Sequence, residues 1–560
     1  MFKKSVMLGT ALATLSLGAV AAAGAGAGAS ASRIANATVL TEEGNTGVTF
    51  TNNFNPLDSN SVGTQMSIRS LTYEPLIEFD TLKAGVQYPW LATGYAFSNG
   101  GKTLTFTIRK GVMWSDGTAF TPADVAYTFN LANTVPATNV NGLPAFASPA
   151  KVVGDTVVLN FKSPEYSEIY ALGGTLMLPE HLWSKVKSPA TATITNPVGT
   201  GPMVLKSYSS TLIKYVANPH YWKGKEYVTG VNVPSYSSNA AATTALVNGQ
   251  LDWAGNDIAN INAVFVSKNP ATNHYYFAPG NTASLIFNTT YGQLKYAVVR
   301  QAISMAINRN ILAQDGESGY AKPVTSTSGL LPSQQSFMPA GYANNINPAG
   351  ASASVVGAFL EKNGYKLDSN GYYALGGNSA NEISFNVEDP TGYSDYYADD
   401  QLISNTLKAD HINATVDGVA ASQWYTDLSK GSFQTVVHWG NGGVSPLTQY
   451  QGWMDYTGDN AGTASTSGDY GLFKSNVAES LIGSLARTNP SDTAAVKGAV
   501  LGLAKIMTTQ VPVAPLFYGP NWNVFSTKRF NGFVTASNQY SYPSPSDPYL
   551  PLILSHLTKA

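Results

Sequence analysis

The 560-residue chain contains no cysteine. This absence excludes disulfide bonds, thiol-based catalysis and metal sites with thiolate ligands. It also excludes the lipid-modified cysteine that tethers many exported bacterial proteins to a membrane. An exported form of this protein is therefore free in a periplasm or held at the cell surface by other means.

Charged residues are scarce as well. Asp, Glu, Lys and Arg make up 12% of the chain, and the formal net charge is −2. The sequence therefore lacks the basic footprint of a nucleic-acid-binding protein, and it has no polybasic patch for a membrane surface. Aromatic, amide and hydroxyl side chains are abundant instead, with 31 Tyr and 9 Trp. Such a surface suits a neutral polar ligand, and it is equally compatible with a merely solvated exterior.

Long apolar runs are missing except at the N-terminus. Lys3 and Lys4 precede an apolar run over 6–23 and a tail of small residues, AGAGASAS. This order is typical of a secretory signal peptide, which we predict over 1–31 with cleavage after Ala29 or Ala31. The mature protein is then exported, to a periplasm or to the cell surface. An uncleaved signal anchor is the alternative, but the small-residue tail favours cleavage.

The usual signatures of catalysis are also missing. The six histidines lack the spacing of a metal site, no Gly-x-Ser-x-Gly elbow occurs, and Ala96 stands at the first glycine that a phosphate-binding loop would need. We predict no metal and no cofactor. A glycosidase is the enzyme alternative, because its two carboxylates can lie far apart in sequence.

The clearest local structure is predicted between 102 and 130. Thr alternates with Leu, Phe and Ile over 103–108, which is typical of a strand with one buried face. Ser115, Asp116 and Gly117 then form a turn. Thr121 and Pro122 begin a helix, because a hydroxyl cap precedes proline at the first helical position.

The order of residues in this stretch is more specific than a strand, a turn and a helix alone. The segment 108–125, IRKGVMWSDGTAFTPADV, resembles the signature of the family 5 extracellular solute-binding proteins. These are the receptors of ABC importers for oligopeptides, dipeptides, nickel and some oligosaccharides. Similar segments follow in order along the chain: NPVGTGP at 196–202, NPHYW at 218–222, QLDW at 250–253 and VRQAISMAI at 299–307. The resemblance thus covers nearly the whole mature chain.

The resemblance implies an α/β fold of the type II periplasmic-binding-protein class, with two lobes joined by a two-strand hinge and an extra small domain in the first lobe. The implied bounds are 32–77, 197–288 and 512–560 for the first lobe, 78–196 for the inserted small domain and 289–511 for the second lobe. Two local expectations accompany this scheme: a helix over 66–76 and a closing strand over 524–533.

The resemblance also implies a protein that binds rather than catalyses. Members hold a ligand in a cleft whose closed form the importer recognises, so binding shifts an equilibrium between open and closed forms. We therefore predict a monomeric receptor that serves the permease and ATPase subunits of an ABC importer. Nickel is the weakest of the family ligands here, because no His or Arg cluster suggests a chelator site. A surface protein that has kept the fold and lost transport is a further alternative.

The ligand question depends on the segment after Trp439. In peptide-binding relatives a Trp is followed shortly by an Asp that pairs with the α-amino group of the peptide, and this position corresponds here to Gly442. A buried ammonium without a partner is costly. A peptide would therefore need another carboxylate, such as Asp455 or Glu74.

Aromatic and amide side chains favour a sugar instead. Sugar rings pack their C–H faces on aromatic rings, and amides hydrogen-bond to hydroxyls as both donor and acceptor. The segment 518–533 is similar to the oligosaccharide-binding branch of the family. We therefore expect a short neutral oligomer, an oligosaccharide ahead of an oligopeptide, although core packing is the alternative role for each Trp alone. The predicted contacts are Trp439, Asn441 and Gly442 from the second lobe and Trp253, Asn521 and Trp522 from the first lobe or the hinge, with Trp424 and Trp453 as further candidates.

Overall fold

The computed structural model describes residues 38–83, 86–342, 344–440, 442–443, 445–456 and 469–560. The predicted signal peptide over 1–31 and the predicted contact Asn441 lie outside these residues. Within the described residues, every helix is too short or too polar to cross a membrane.

The strands are β1 Val39–Glu43, β2 Ile77–Phe79, β3 Gln87–Pro89, β4 Ala92–Ser98, β5 Thr103–Ile108, β6 Phe146–Val153, β7 Thr156–Phe161, β8 Met203–Ser209, β9 Leu212–Ala217, β10 Gly230–Pro234, β11 Trp253–Ala254, β12 Asn273–Tyr275, β13 Ala278–Phe287, β14 Lys322–Pro323, β15 Tyr365–Leu367, β16 Tyr373–Leu375, β17 Ser384–Pro390, β18 Asn413–Val419, β19 Thr435–Trp439, β20 Val513–Asn521, β21 Val524–Ser526, β22 Phe530–Asn531 and β23 Thr558–Lys559.

The α-helices are α1 Val62–Gln65, α2 Pro122–Thr134, α3 Ile169–Gly173, α4 Glu180–Trp183, α5 Asn239–Val247, α6 Ile261–Val264, α7 Ala297–Ala306, α8 Arg309–Ile311, α9 Ala353–Lys362, α10 Ser394–Ala409, α11 Ala421–Lys430, α12 Pro446–Met454, α13 Asn476–Arg487, α14 Thr493–Thr509 and α15 Leu550–Leu554.

Strand β5 and helix α2 confirm the local predictions for 102–130. Thr121 caps α2, and a capping box forms because the carboxylate of Asp124 accepts the backbone N–H of Thr121 at 2.8 Å. Val125 and Phe129 on this helix are fully buried. They pack against the four-stranded sheet of order β4-β5-β7-β6.

A seven-stranded sheet has the order β12-β21-β11-β1-β10-β9-β8. Its central strand β1 pairs in parallel with both β10 and β11. Residues from β1, β8, β9, β10 and β11 build one core with the C-terminal helix α15. The loops that leave the carboxyl ends of β1 and β11 are therefore neighbours at one edge of this sheet.

A six-stranded sheet has the order β14-β20-β13-β19-β17-β18. Leu285 and Phe287 of β13 face one core, whereas Ile286 faces a second core that contains helices α11 to α14. This alternation follows from the two-residue period of a strand. The sheet is thus covered on both faces.

The chain passes between these two sheets twice. β12 of the seven-stranded sheet leads directly into β13 of the six-stranded sheet, and β20 leads back into β21. β13 and β20 pair antiparallel along most of their length. The chain thus passes between the sheets at 276–277 and 522–523, whereas crossings were expected near 284–288 and 512–518, at the opposite ends of β13 and β20. The domain bounds themselves stay predictions.

Two local predictions were wrong. The helix expected over 66–76 is absent: α1 ends before it at Gln65, and only a short 3-10 turn at Arg69–Leu71 lies within this range. Ser67 takes a left-handed conformation with φ 53°, and the backbone N–H groups of Arg69 and Ser70 donate to Asp547 instead of continuing a helix. The single strand expected over 524–533 is divided into β21 and β22, because β22 pairs with β23 at the C-terminus.

Candidate functional site

A cavity with a volume of about 870 Å³ lies among residues of both large sheets. One wall follows β1 and β11, with Asn45, Thr46 and the segment 255–257. The other wall comes from β13, β19 and β20 and from the beginning of α10. Two other cavities have volumes of about 190 and 160 Å³ and are far smaller. We therefore take the large cavity as the candidate ligand site.

Four of the predicted contacts line this cavity: Trp439, Gly442, Asn521 and Trp522. The side chain of Asn521 already has partners, because its Nδ2 donates to the Ala278 carbonyl at 2.9 Å and its Oδ1 accepts from Asn281 at 3.2 Å. Asn521 thus joins β13 to β20 at the cavity floor.

The other three predicted tryptophans are buried in cores and do not line the cavity. Trp253 packs edge to face on Phe533, and its indole N–H donates to Asn523 at 2.7 Å. Trp424 and Trp453 lie in the core beneath α11 and α12. For these three residues the structure supports the core-packing alternative.

Aromatic rings cluster on the six-stranded side of the cavity. The ring centroids of Trp439 and Tyr396 are 6.2 Å apart, and the buried Trp424 supports Trp439 from behind at 5.7 Å. Trp522 packs on Phe277 at 4.7 Å and on Tyr320 at 6.0 Å. Packing on both sides therefore fixes the orientation of the two tryptophans that line the cavity.

Gly442 lies where no side chain fits. A Cβ atom at this position would stand well inside van der Waals contact with the carbonyl oxygen of Gly280. The carboxylate that peptide-binding relatives carry at the corresponding position is therefore sterically excluded from this backbone arrangement, as well as absent from the sequence.

Glu74, suggested as a replacement anchor, does not line the cavity. It is fully buried and accepts hydrogen bonds from the indole N–H of Trp90 at 2.7 Å, the indole N–H of Trp222 at 3.0 Å and the hydroxyl of Tyr221 at 3.1 Å. Burial raises the pKa of Glu74 to about 7, although these donors lower it. Asp455, the other suggested anchor, is not among the lining residues either.

Four other carboxylates do line the cavity. Asp547 is paired with Arg69, and we call the remaining three, Asp257, Glu317 and Asp395, the acid wall. Burial raises the pKa of Asp257 to about 7, and the neighbouring charge of Asp395 adds to the rise. Burial and the same neighbour hold the pKa of Glu317 well above its ordinary range. Burial also raises the pKa of Asp395, although the indole N–H of Trp522 donates to its carboxylate.

Sequence reasoning missed the acid wall because its members come from three distant segments. Asp257 follows β11, Glu317 follows α8, and Asp395 lies in the first turn of α10. No spacing or motif relates them, so only the folded chain brings them together. The one available signal is weak: acidic residues are scarce in this chain, with 34 Asp and Glu among 560 residues.

Basic groups occupy other parts of the cavity. Arg69 forms an ion pair with Asp547, with Nε 2.9 Å from Oδ2, and Lys430 lies at the end of α11. His438 also lines the cavity, and burial lowers its pKa to about 4, so its ring is neutral at pH 7. Within the described residues, no group of three or more His, Asp or Glu side chains is arranged to hold a metal ion.

The two sheets, the two crossings and the large cavity define a periplasmic binding protein of type II, which confirms the predicted fold class. The mannohexaose-bound periplasmic oligopeptide-binding protein of Thermotoga maritima superimposes with a TM-score of 0.83 at 23% identity, covering 93% of this chain and 98% of that one. The oligopeptide-binding protein AppA of Bacillus subtilis, in complex with a nonapeptide, gives a TM-score of 0.76 at 18% identity, covering 93% and 98%.

Residues 87–462 match the sequence profile of the bacterial extracellular solute-binding proteins, family 5. The chain belongs to this family, and membership implies an exported protein. A putative ABC transporter peptide-binding protein of Brucella ovis is 29% identical over 288 residues, 49% of this chain and 52% of the relative. The nickel-binding periplasmic protein of Escherichia coli is 28% identical over 318 residues, 54% of this chain and 57% of the relative. The chain thus matches about half the length of these curated relatives.

Proposed function

We propose that this chain is the extracytoplasmic receptor of an ABC importer and that it captures a short polar oligomer, an oligosaccharide ahead of an oligopeptide. The observation that carries the proposal is the large cavity, whose lining combines the aromatic rings of Trp439, Tyr396 and Trp522 with amide and hydroxyl side chains. Its volume of about 870 Å³ lies near the upper end of the ~300–1,000 Å³ range of ligand pockets. Such a space suits several linked sugar or amino-acid units.

Support for a sugar comes from the combination of flat rings and neutral polar groups. Asn45, Gln65 and Asn281 line the cavity with amides that can serve sugar hydroxyls as donors and acceptors. The Thermotoga maritima protein of the same fold holds mannohexaose. The binding step itself needs no catalytic group, so the receptor delivers its ligand unchanged to the permease.

An oligopeptide is the second candidate, and the acid wall favours it. The expectation of a neutral ligand was based on the missing acid at Gly442 and on the aromatic and amide side chains, yet the acid wall and Asp547 line this cavity with carboxylates. Several relatives are also named as peptide-binding proteins. The choice between the two oligomers therefore depends on direct binding measurements.

The test is a calorimetric titration of the purified protein with neutral oligosaccharides of two to six units and with di- to pentapeptides. Trp439→Ala and Trp522→Ala are each expected to weaken binding of the active oligomer at least ~10-fold, because an aromatic platform is lost. Tyr291→Ala is the matched control, since this exposed ring does not line the cavity. Unchanged affinity in both tryptophan variants would show that the ligand binds elsewhere.

A further inference from the structure

The acid wall has acceptor atoms without donors. Asp257 is 5% exposed and Glu317 is 1% exposed. Oδ2 of Asp257 accepts from the hydroxyl of Ser394 at 3.0 Å, but Oδ1 of Asp257 and Oε1 of Glu317 have no hydrogen-bond partner among the described residues. Leaving a buried carboxylate oxygen unpaired is costly, so these atoms point to a group that is supplied from the cavity.

A neutral side chain beside the acid wall shows the same pattern independently. Asn256 lines the cavity and is 5% exposed. Its Nδ2 donates to the Asp257 carbonyl at 2.8 Å and lies 3.3 Å from both the Asn239 carbonyl and Thr243 Oγ1. Its Oδ1 has no partner in the part of the chain that the structure describes. Asn256, Asp257 and Glu317 thus each present one unpartnered acceptor atom in this wall of the cavity.

The charges around the acid wall are of one sign. Burial raises the pKa of Asp257, and the charge of Asp395 raises it further. Burial also raises the pKa of Glu317, and the charges of Asp395, Asp399 and Asp257 add to that rise. Asp399 is itself fully buried behind Glu317. Among the described residues that line the cavity, the cations Arg69 and Lys430 come from other segments, and Arg69 is paired with Asp547. A cation from the ligand would relieve this repulsion.

We infer that the acid wall binds a protonated primary amine of the ligand. An ammonium group carries three N–H donors and no acceptor, which suits a wall whose unpartnered atoms on Asn256, Asp257 and Glu317 are all acceptors. The aromatic rings of Tyr393, Tyr396 and Trp522 line the same part of the cavity and can face the cation. A bare metal ion fits less well, because no described acid cluster has a metal-binding arrangement.

This inference rests on the proposed function and narrows it. The amine anchor is separate from position 442, where a side chain is sterically excluded. A protonated amine can come from the N-terminus of a short peptide or from an amino sugar. Both sources fit an oligomer-binding cavity, and the experiment distinguishes them.

Two matched pairs of probes test the amine directly by calorimetry at pH 7. One pair is triglycine and N-acetyl-triglycine, and the other is the glucosamine trimer and the N-acetylglucosamine trimer. In at least one pair, the amine form is expected to bind at least ~10-fold tighter than the acetylated form. The pair that shows this preference identifies the source of the amine.

Asp257→Asn and Glu317→Gln keep the shape of the site and remove its charge. Each is expected to reduce the preference for the amine at least ~10-fold while leaving the affinity for the acetylated form within about twofold. A purely structural role would weaken both forms equally. Asp155→Asn is the matched control, because this exposed acid lies in the β6–β7 hairpin, away from the cavity.

A second measurement separates failure of this inference from failure of the proposed function. Equal affinity for the amine and acetylated forms overturns the amine anchor and leaves oligomer capture intact. If no oligomer binds, the proposed function fails, and the amine anchor is then tested with methylammonium alone. At about 100 mM, methylammonium chloride is expected to raise the melting temperature of the wild type by about 1–3 °C more than sodium chloride, but not that of Asp257→Asn. Identical melting in the two salts overturns the inference.

Discussion

Glu74 and the acid wall are both buried carboxylate sites, but their surroundings differ. Glu74 accepts hydrogen bonds from Trp90, Tyr221 and Trp222. Within the described parts of the chain, Asp257 and Glu317 each keep an oxygen without a donor. Burial raises the pKa of all three groups, so the loss of hydration is common to both sites and the supply of donors is what differs.

The comparison separates a carboxylate that stabilises the fold from one that is available to a ligand. The donors at Glu74 come from rigid aromatic side chains in the core of the four-stranded sheet and beside it. The acid wall instead stands at a cavity where the missing donors can arrive from outside. We therefore expect substitutions at the two sites to have effects of opposite sign on the stability of the free protein.

The largest expected effect is at Glu74. Glu74→Ala leaves two indole N–H groups and a buried hydroxyl without an acceptor, and we expect it to lower the free energy of unfolding by about 3–5 kcal/mol. Urea unfolding measured by circular dichroism gives this value. Glu74→Gln is the matched control with an intermediate loss, because its amide keeps one acceptor but directs an N–H towards another donor. A loss below about 1 kcal/mol for Glu74→Ala would contradict the structural role.

The second expected effect is on the pH dependence of stability. In the unfolded chain an Asp loses its proton near pH 4, whereas Asp257 in the folded protein keeps it to about pH 7. The folded state thus binds more protons between these values, and the free energy of unfolding falls as pH rises through this window.

Asp257→Asn removes this contribution. We expect the variant to lose less stability than the wild type between pH 5 and pH 8, with a difference on the order of 1–3 kcal/mol, and to melt at an equal or higher temperature at pH 8. Thermal unfolding of both proteins at several pH values measures the difference. Parallel profiles for the two proteins would mean that Asp257 is not an unpaired carboxylate. Asp155→Asn is expected to leave the profile unchanged.

The predicted strand and helices show which parts of the fold follow from local sequence alone. The strand and helix of 102–130 were predicted because their signals are local: alternation in β5 and the Thr121 cap of α2. The helix predicted over 66–76 failed because a distant carboxylate, Asp547, takes the backbone donors of Arg69 and Ser70. Local propensity could not anticipate that contact.

The candidate site was only partly predictable for the same reason. Trp439 and Trp522 line the cavity, whereas the other three predicted tryptophans, Trp253, Trp424 and Trp453, are buried in cores. Composition cannot distinguish these positions, because the distinction depends on which face of an element meets the cavity. The acid wall depends even more on tertiary structure, since the segment after β11, the segment after α8 and the first turn of α10 contribute one residue each.

The smallest expected effect tests whether hydrogen-bond donors or opposing charges stabilise the buried Glu74 side chain. The ammonium of Lys223 lies 3.9 Å from the centroid of the Trp90 ring, and the negative charges of Glu226, Glu74 and Glu78 favour its protonated form. Burial nevertheless lowers the pKa of Lys223, so its charge gives only a modest net gain. We expect Lys223→Met, which keeps the apolar stem, to cost about 0.5–1 kcal/mol in urea unfolding. Lys110→Met, at an exposed ion pair with Asp155, serves as the control and should cost close to nothing. If Lys223→Met were as costly as Glu74→Ala, opposing charge rather than hydrogen-bond donors would distinguish Glu74 from the acid wall. A cation from the ligand would then be expected to stabilise the acid wall by several kcal/mol.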